Sequence, residues 1–273
     1  NAVNASVRGK HCAIGDFSTN FFDYYRLDAK LGQGAFAQVR LVSSLSSGMC
    51  AAETQEKCVK ILDTRDDGLQ RLAAMEVEIW KRVGHHPNIL ELSDAFIHEN
   101  ICFLVMRKCS CSLYNYMEDM ADLNERSFGK LVLQMVSALH HMHTIRVVHR
   151  DVKPDNFLVG GMDGNTVQLC DFGLAAILPD HGKLCGIVGT TPFMCPEMFS
   201  GEWYDEKADI WSLAVTVYVF LFGDFPYVSK DRTKQGMREA IIQGTPPKFY
   251  PVGQRKNSYS SNTLNFVAAL LQR

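Results

Sequence analysis

The chain has 273 residues, 47 % hydrophobic and 21 % charged, with a formal net charge of −2. That is ordinary globular composition with enough apolar material for a sizeable core, as one large unit or as two lobes sharing a cleft. It offers no global basic field for nucleic acid or an anionic membrane, and its longest apolar run, Leu213–Phe222, is far short of the roughly 18 residues that span a bilayer. The nine cysteines follow no framework, which predicts reduced thiols and an intracellular, cytoplasmic setting. Cys109 and Cys111 are the one close pair and lack the further ligands that a zinc site needs. The chain opens on Asn1 rather than Met, which reads as a fragment.

Residues 1–24 read as an N-terminal extension, small and polar at first. From Tyr25 to Leu31 the residues alternate like a strand. Gly32 and Gly34 break the pattern, and Gln38–Val42 resumes it, which predicts a hairpin with a glycine turn. Glu56–Leu62 is a third strand. Leu69, Leu72, Ala73, Met75, Ile79, Trp80 and Val83 fall at helical spacing, and His86-Pro87-Asn88 ends that helix. Ile89–Asp94 and Ile101–Met106 read as two further strands. Beyond residue 110 the pattern is mainly helical, with an amphipathic helix over Phe128–His143 and a buried one over Asp205–Phe222. The expected class is α+β: a small β-rich N-terminal part and a larger α-helical C-terminal part.

Glycines in a hairpin turn let backbone N–H groups approach phosphate oxygens closely, although the same turn alone is equally an ordinary hairpin tip. Lys60, between Val59 and Ile61 on a strand, needs a partner or a ligand phosphate, and Glu76 or Glu78 on the next helix can supply the partner. The segment Val148-His149-Arg150-Asp151-Val152-Lys153-Pro154-Asp155-Asn156-Phe157-Leu158 is far more specific. It packs acids, an amide and cations between apolar strands, which is costly unless something is bound. Twenty residues after Asp151 comes Asp171-Phe172-Gly173, behind an apolar run. Asp171 and Asn156 are hard oxygen ligands of the kind Mg²⁺ takes beside phosphates. Phosphoryl transfer needs this set: a metal, a cation on the phosphates and a carboxylate to receive a hydroxyl proton.

These motifs, in this order, resemble the eukaryotic protein kinases over about residues 25–273. The resemblance implies a bilobal fold with the ATP cleft between the lobes, an N-lobe over about 25–106, a hinge over about 107–111 and a C-lobe over about 112–273. It implies ATP and Mg²⁺ as cofactors and a protein substrate. Asp151 becomes the catalytic base, Lys153 the cation on the transferring phosphoryl group, and Asn156 and Asp171 the Mg²⁺ ligands. Lys60 binds the α- and β-phosphates and pairs with Glu76, chosen over Glu78 by its distance from His86. The nucleotide-binding set is Leu31, Gly32, Gln33, Gly34, Ala35, Phe36, Ala37, Gln38, Val39, Cys58, Lys60, Met106, Cys109 and Leu158. Ala37 stands where the family's third glycine falls, and Met106 is taken as gatekeeper, with Val105 as the alternative.

Lys153 and Thr190 resemble the serine/threonine class, and Cys195-Pro196-Glu197 matches the family's Ala-Pro-Glu with Cys for Ala. A pseudokinase scaffold is the alternative. It would require loss of Lys60, Asp151 or Asp171, and all three are present; a small-molecule kinase is disfavoured by Thr190 and Cys195-Pro196-Glu197. Lys153–Leu158 and Tyr204–Ser212 resemble the calcium-dependent protein kinases of plants and apicomplexans, which implies a calcium-binding regulatory region outside this chain and a monomer. The segment Phe172–Gly189 has no Ser, Thr or Tyr, and Gly186 falls where phosphorylation is usual. Arg150 therefore has no phosphate to clamp, and independence from activation-loop phosphorylation is expected. Cys109–Leu113 lacks the glutamate that reads basic substrates, and Val219 replaces another acid, leaving Asp155 as a reader. The chain stops at Leu270–Arg273 within an expected helix, so Glu197 lacks its usual arginine unless Arg273 takes the role.

Overall fold

The computed structural model describes residues 20–34, 37–45, 56–120, 124–161, 163–229, 233–244, 247–249 and 259–272. The chain divides into two compact units, one of residues 1–78 and 91–108, the other of 79–90 and 109–273.

The first unit carries five antiparallel strands: β1 Tyr25–Gln33, β2 Ala37–Ser44, β3 Lys57–Asp63, β4 Leu92–His98 and β5 Ile101–Arg107, in the order β1-β2-β3-β5-β4. Helix α1, Asp67–Val83, follows β3, and the division between the units falls inside it. Asp66 starts α1 by accepting the N–H groups of Gly68 and Leu69 on its side chain, at 2.8 and 3.3 Å. One face of the sheet is closed by an aromatic cluster. Phe21 is fully buried, stacks on Phe103 at 4.3 Å between ring centroids, and meets Tyr25 and Phe96. The core thus takes in a residue four places ahead of Tyr25, held in a short 3-10 turn over Phe21–Asp23 that Asn20 caps.

The strand expected over Ile89–Asp94 lies later, over Leu92–His98. Ile89 instead forms an isolated parallel bridge with Leu169, and Leu90 N–H donates to Leu169 O at 2.9 Å. Both belong to the second unit. The segment Ile89–Asp94 is thus split: Ile89 and Leu90 pair with Leu169 in the second unit, whereas Leu92 onward pairs with β5 in the first.

The second unit contains β6 Cys111–Ser112, α2 Leu113–Asp119, α3 Glu125–Thr144, β7 Val147–Val148, β8 Phe157–Gly160, β9 Thr166–Leu169, β10 Ala176–Ile177, α4 Pro196–Ser200, α5 Lys207–Phe222, α6 Lys234–Gln243 and α7 Ser261–Leu270. Beside its helices stand two small sheets, β10-β7 and β6-β8-β9, that periodicity did not disclose. Asn124 caps α3 in a reciprocal box with Ser127. Helix α5 is apolar on nearly every side and buried except at the exposed Lys207 and the half-buried Ile210 and Val219. Its hydroxyls are satisfied locally: Ser212 donates to Ala208 O and Phe193 O, and Thr216 to Ser212 O. Gly223 ends it with φ 74°. All seven cysteines among the described residues are free thiols.

Candidate catalytic site

In the first unit, β3 places Lys60 opposite Val39 on β2 and Leu104 on β5. Its Nζ lies 2.7 Å from Glu76 Oε1, and the two side chains are only 15 % and 4 % exposed. Glu78 is exposed instead, because two residues along a helix turn a side chain to another face. Met106 is the cross-strand partner of Cys58 and shares a face with Leu104 and Lys60. Val105 points the other way, into the aromatic cluster with Val59 and Phe103.

The glycine turn follows Leu31, Gly32 and Gln33. Gly34 N–H donates to Ala37 O at 2.8 Å to close it. Ala35 and Phe36 lie outside the described residues. A side-chain carbon added at Gly32 would meet nothing within 4 Å, and at Gly34 only Ala37 O at 3.8 Å. Among the described residues, packing demands glycine at neither position. Gln38 pairs with Gln33 across the turn.

In the second unit the loop after β7 gathers the polar residues. Asp151 is 7 % exposed, and three groups orient its carboxylate. Thr190 Oγ1 donates to Oδ1 at 2.7 Å, Lys153 Nζ to Oδ2 at 2.6 Å, and Asn156 Nδ2 to Oδ2 at 3.3 Å. Lys153 also reaches Thr190 Oγ1 at 3.0 Å. The Asn156 amide donates further to Asp151 O at 2.8 Å, which spends its N–H groups on the loop and leaves its carbonyl oxygen as a hard donor atom. Leu158 sits on β8 opposite Ser112 and Gln168, and Cys109 Sγ is 3.8 Å from Gln168 Oε1.

His149 is fully buried. Its Nε2 lies 3.1 Å from Cys170 O and its Nδ1 accepts Asp151 N–H at 3.3 Å, an arrangement that fits the Nε2–H tautomer. Arg150 and Asp171 both adopt positive φ, 64° and 65°, unusual for residues with side chains and concentrated here. Phe172 is buried between Trp80 and His149, with ring centroids 5.3 and 5.6 Å away. Trp80 Nε1 donates to Leu90 O at 2.6 Å.

The sequence reading missed the supports. Asp209 has no exposure and accepts His149 N–H and Arg150 N–H, both at 2.8 Å, while His143 Nε2 lies 2.9 Å from it. A lone acid opening an otherwise apolar helix was the available signal, since a buried carboxylate must find donors. Gly189 has φ +116°, and a carbon added there would stand 2.4 Å from Arg150 O, so the chain approaches the loop too closely for any other residue. The remaining helix histidine with a clear contact is His141, with Nε2 2.7 Å from Val83 O and a ring stacked on His86. Glu197 Oε2 is buried without a hydrogen-bond partner among the described residues, and Arg273 lies outside them.

No group of three or more His, Cys, Asp or Glu among the described residues could hold a metal ion. Cys170 N–H donates to Asn156 O at 2.9 Å, which sets Asn156 beside the residue that precedes Asp171, and both side chains offer hard oxygen atoms of the kind Mg²⁺ takes together with phosphate and water. No helix among the described residues is long and apolar enough to cross a membrane.

The chain is 34 % identical over 208 residues to a probable myosin light chain kinase of Dictyostelium discoideum, covering 76 % of this chain and 64 % of that protein. It is 34 % identical over 205 residues to an Aurora kinase of Candida glabrata, 74 % of this chain and 55 % of the relative. It is 35 % identical over 211 residues to the CBL-interacting serine/threonine-protein kinase 7 of Arabidopsis thaliana, 74 % of this chain and 47 % of the relative. The chain therefore spans roughly half the length of these curated relatives. A family model described as the protein kinase domain matches residues 25–273, and the chain belongs to that family.

Proposed function

We propose that this domain transfers the γ-phosphate of ATP to serine or threonine hydroxyls of a protein substrate. The observation that carries the reading is the Asp151 carboxylate, held by Lys153, Asn156 and Thr190 within 3.3 Å. Asp151 receives the proton of the substrate hydroxyl as that oxygen attacks phosphorus. Lys153 offsets negative charge on the phosphoryl group in transit. Lys60, kept in place by Glu76, contacts the α- and β-phosphates. Gly32 and Gly34 carry no side chain that would hold a phosphate away from the turn backbone. From the family resemblance, Val39 and Cys58 of the first unit and Leu158 of the second are the residues proposed for the adenine. Asn156 and Asp171 would hold Mg²⁺, which supplies charge neutralisation on the phosphates when bound.

The test is peptide phosphorylation by the chain with and without Mg²⁺, beside Asp151→Asn. Loss of turnover in both arms is expected, and turnover that survives the substitution would overturn the reading. We also infer, from Lys153–Leu158 and Tyr204–Ser212, a calcium-dependent, monomeric kinase acting inside the cell, with its regulatory region outside this chain. Calcium-independent activity of the full-length protein would remove that refinement alone.

A further inference from the structure

The contact between Thr190 and Asp151 needs the two segments that carry these residues to stay in register. The loop side is fastened by Asp209, through the N–H groups of His149 and Arg150. Thr190, on the other side, follows directly on the segment Phe172–Gly189, which has no hydroxyl side chain. Arg150 gives its Nε to Leu174 O at 2.7 Å.

A different anchor is present on that segment. Leu184 and Tyr204 exchange two backbone hydrogen bonds, 2.7 and 2.9 Å, as an antiparallel bridge. Next to it Lys183 Nζ lies 2.8 Å from Asp205 Oδ2. The Asp205 Oδ1 atom accepts Lys207 N–H at 3.0 Å, at the first residue of α5. Tyr204 is 3 % exposed, and its hydroxyl donates to Cys185 O at 3.4 Å. The hydrogen bond and charge of Asp205 raise the Lys183 ammonium above the ordinary lysine range. Burial pushes the Asp205 carboxyl up, but Lys183 and the Lys207 N–H outweigh it and hold the group low. Asp205 stands two residues ahead of α5 and Asp209 in its first turn, one fastening each side of the Asp151–Thr190 contact.

We propose that Lys183 and Asp205 are positioning residues that register the Leu184–Thr190 segment against the catalytic loop, the task a phosphate performs where the segment carries one. The inference rests on the kinase reading above for its catalytic consequence. The pair is half exposed on the lysine side, so its effect is modest. Lys183→Ala and Asp205→Asn are each expected to lower kcat/KM for peptide roughly three- to fivefold. The KM for ATP should stay within twofold, and Lys183→Arg, which keeps the charge opposite Asp205, should retain most of the parent value. Independently of activity, amide exchange at residues 183–190 should quicken roughly three- to fivefold in Lys183→Ala and Asp205→Asn and stay near the parent rate in Lys183→Arg. Unchanged exchange in Lys183→Ala and Asp205→Asn overturns the inference, as does unchanged peptide kcat/KM in these two variants of an active parent. A parent that transfers no phosphate overturns the proposed activity instead, and the exchange arm then decides the anchoring by itself.

Discussion

Asp209 accepts the backbone N–H of Arg150 at 2.8 Å, and with it the N–H of His149 at the same distance. A fully buried carboxylate on a helix thereby sets the backbone of the loop that ends in Asp151. Asp209→Asn would turn an amide N–H towards one of these donors, leaving at least one buried N–H unpaired at about 1–3 kcal/mol. We expect a fall in kcat of at least roughly tenfold and a Tm lower by roughly 3–10 °C, read by peptide kinetics and calorimetry.

Glu76→Gln keeps a hydrogen-bond acceptor for Lys60 but removes the charge from a pair that is nearly buried. An ammonium without its counter-charge is costly at that depth. Nucleotide affinity should fall about tenfold, or about 1.4 kcal/mol, in a titration monitored by thermal shift. Glu78→Gln, on the exposed face, should leave it unchanged.

Phe21→Ala removes the central ring of the aromatic cluster in the first unit. The cost should be about 3–5 kcal/mol in urea denaturation, with Phe21→Leu losing less. Amide exchange in β4 and β5 should quicken first, because Phe96 and Phe103 lose their shared neighbour.

Burial pushes the thiols of Cys102 and Cys195 from 9.0 up to about 12. In each case the folded state retains a proton that the unfolded chain releases. The resulting stability is fully present below pH 9 and is lost as pH rises towards about 12. Maleimide at pH 8 should therefore modify the exposed Cys185 first and spare Cys102 and Cys195, as peptide mass spectrometry would show. The midpoint of urea unfolding should decline between pH 9 and pH 11.

Much of the fold was legible because its signals are local. Strand alternation up to Leu31, the glycine turn, and the helical spacing from Leu69 to Val83 each report their own segment. The residues around Asp151 stood out because buried polar density has few structural explanations. What sequence did not disclose is pairing at a distance. Ile89 joins Leu169 rather than β4, Phe21 belongs to a core that reading began at Tyr25, and Asp209 serves a loop about 60 residues earlier. Each depends on which neighbour a residue meets after folding, and periodicity carries no information about that. The opposite facing of Met106 and Val105 is of the same kind, since it follows from strand pairing and not from composition.

The hydroxyl-free stretch from Phe172 to Gly189 has a further consequence in time. A kinase that stores its active state as a phosphate on this stretch stays on until a phosphatase arrives, long after the stimulus has gone. Here a hydroxyl-bound phosphate has no atom on the stretch to reside on. A phosphatase that acts on hydroxyl phosphates would therefore find no substrate between Phe172 and Gly189, and treatment with one should leave the mass of this stretch unchanged.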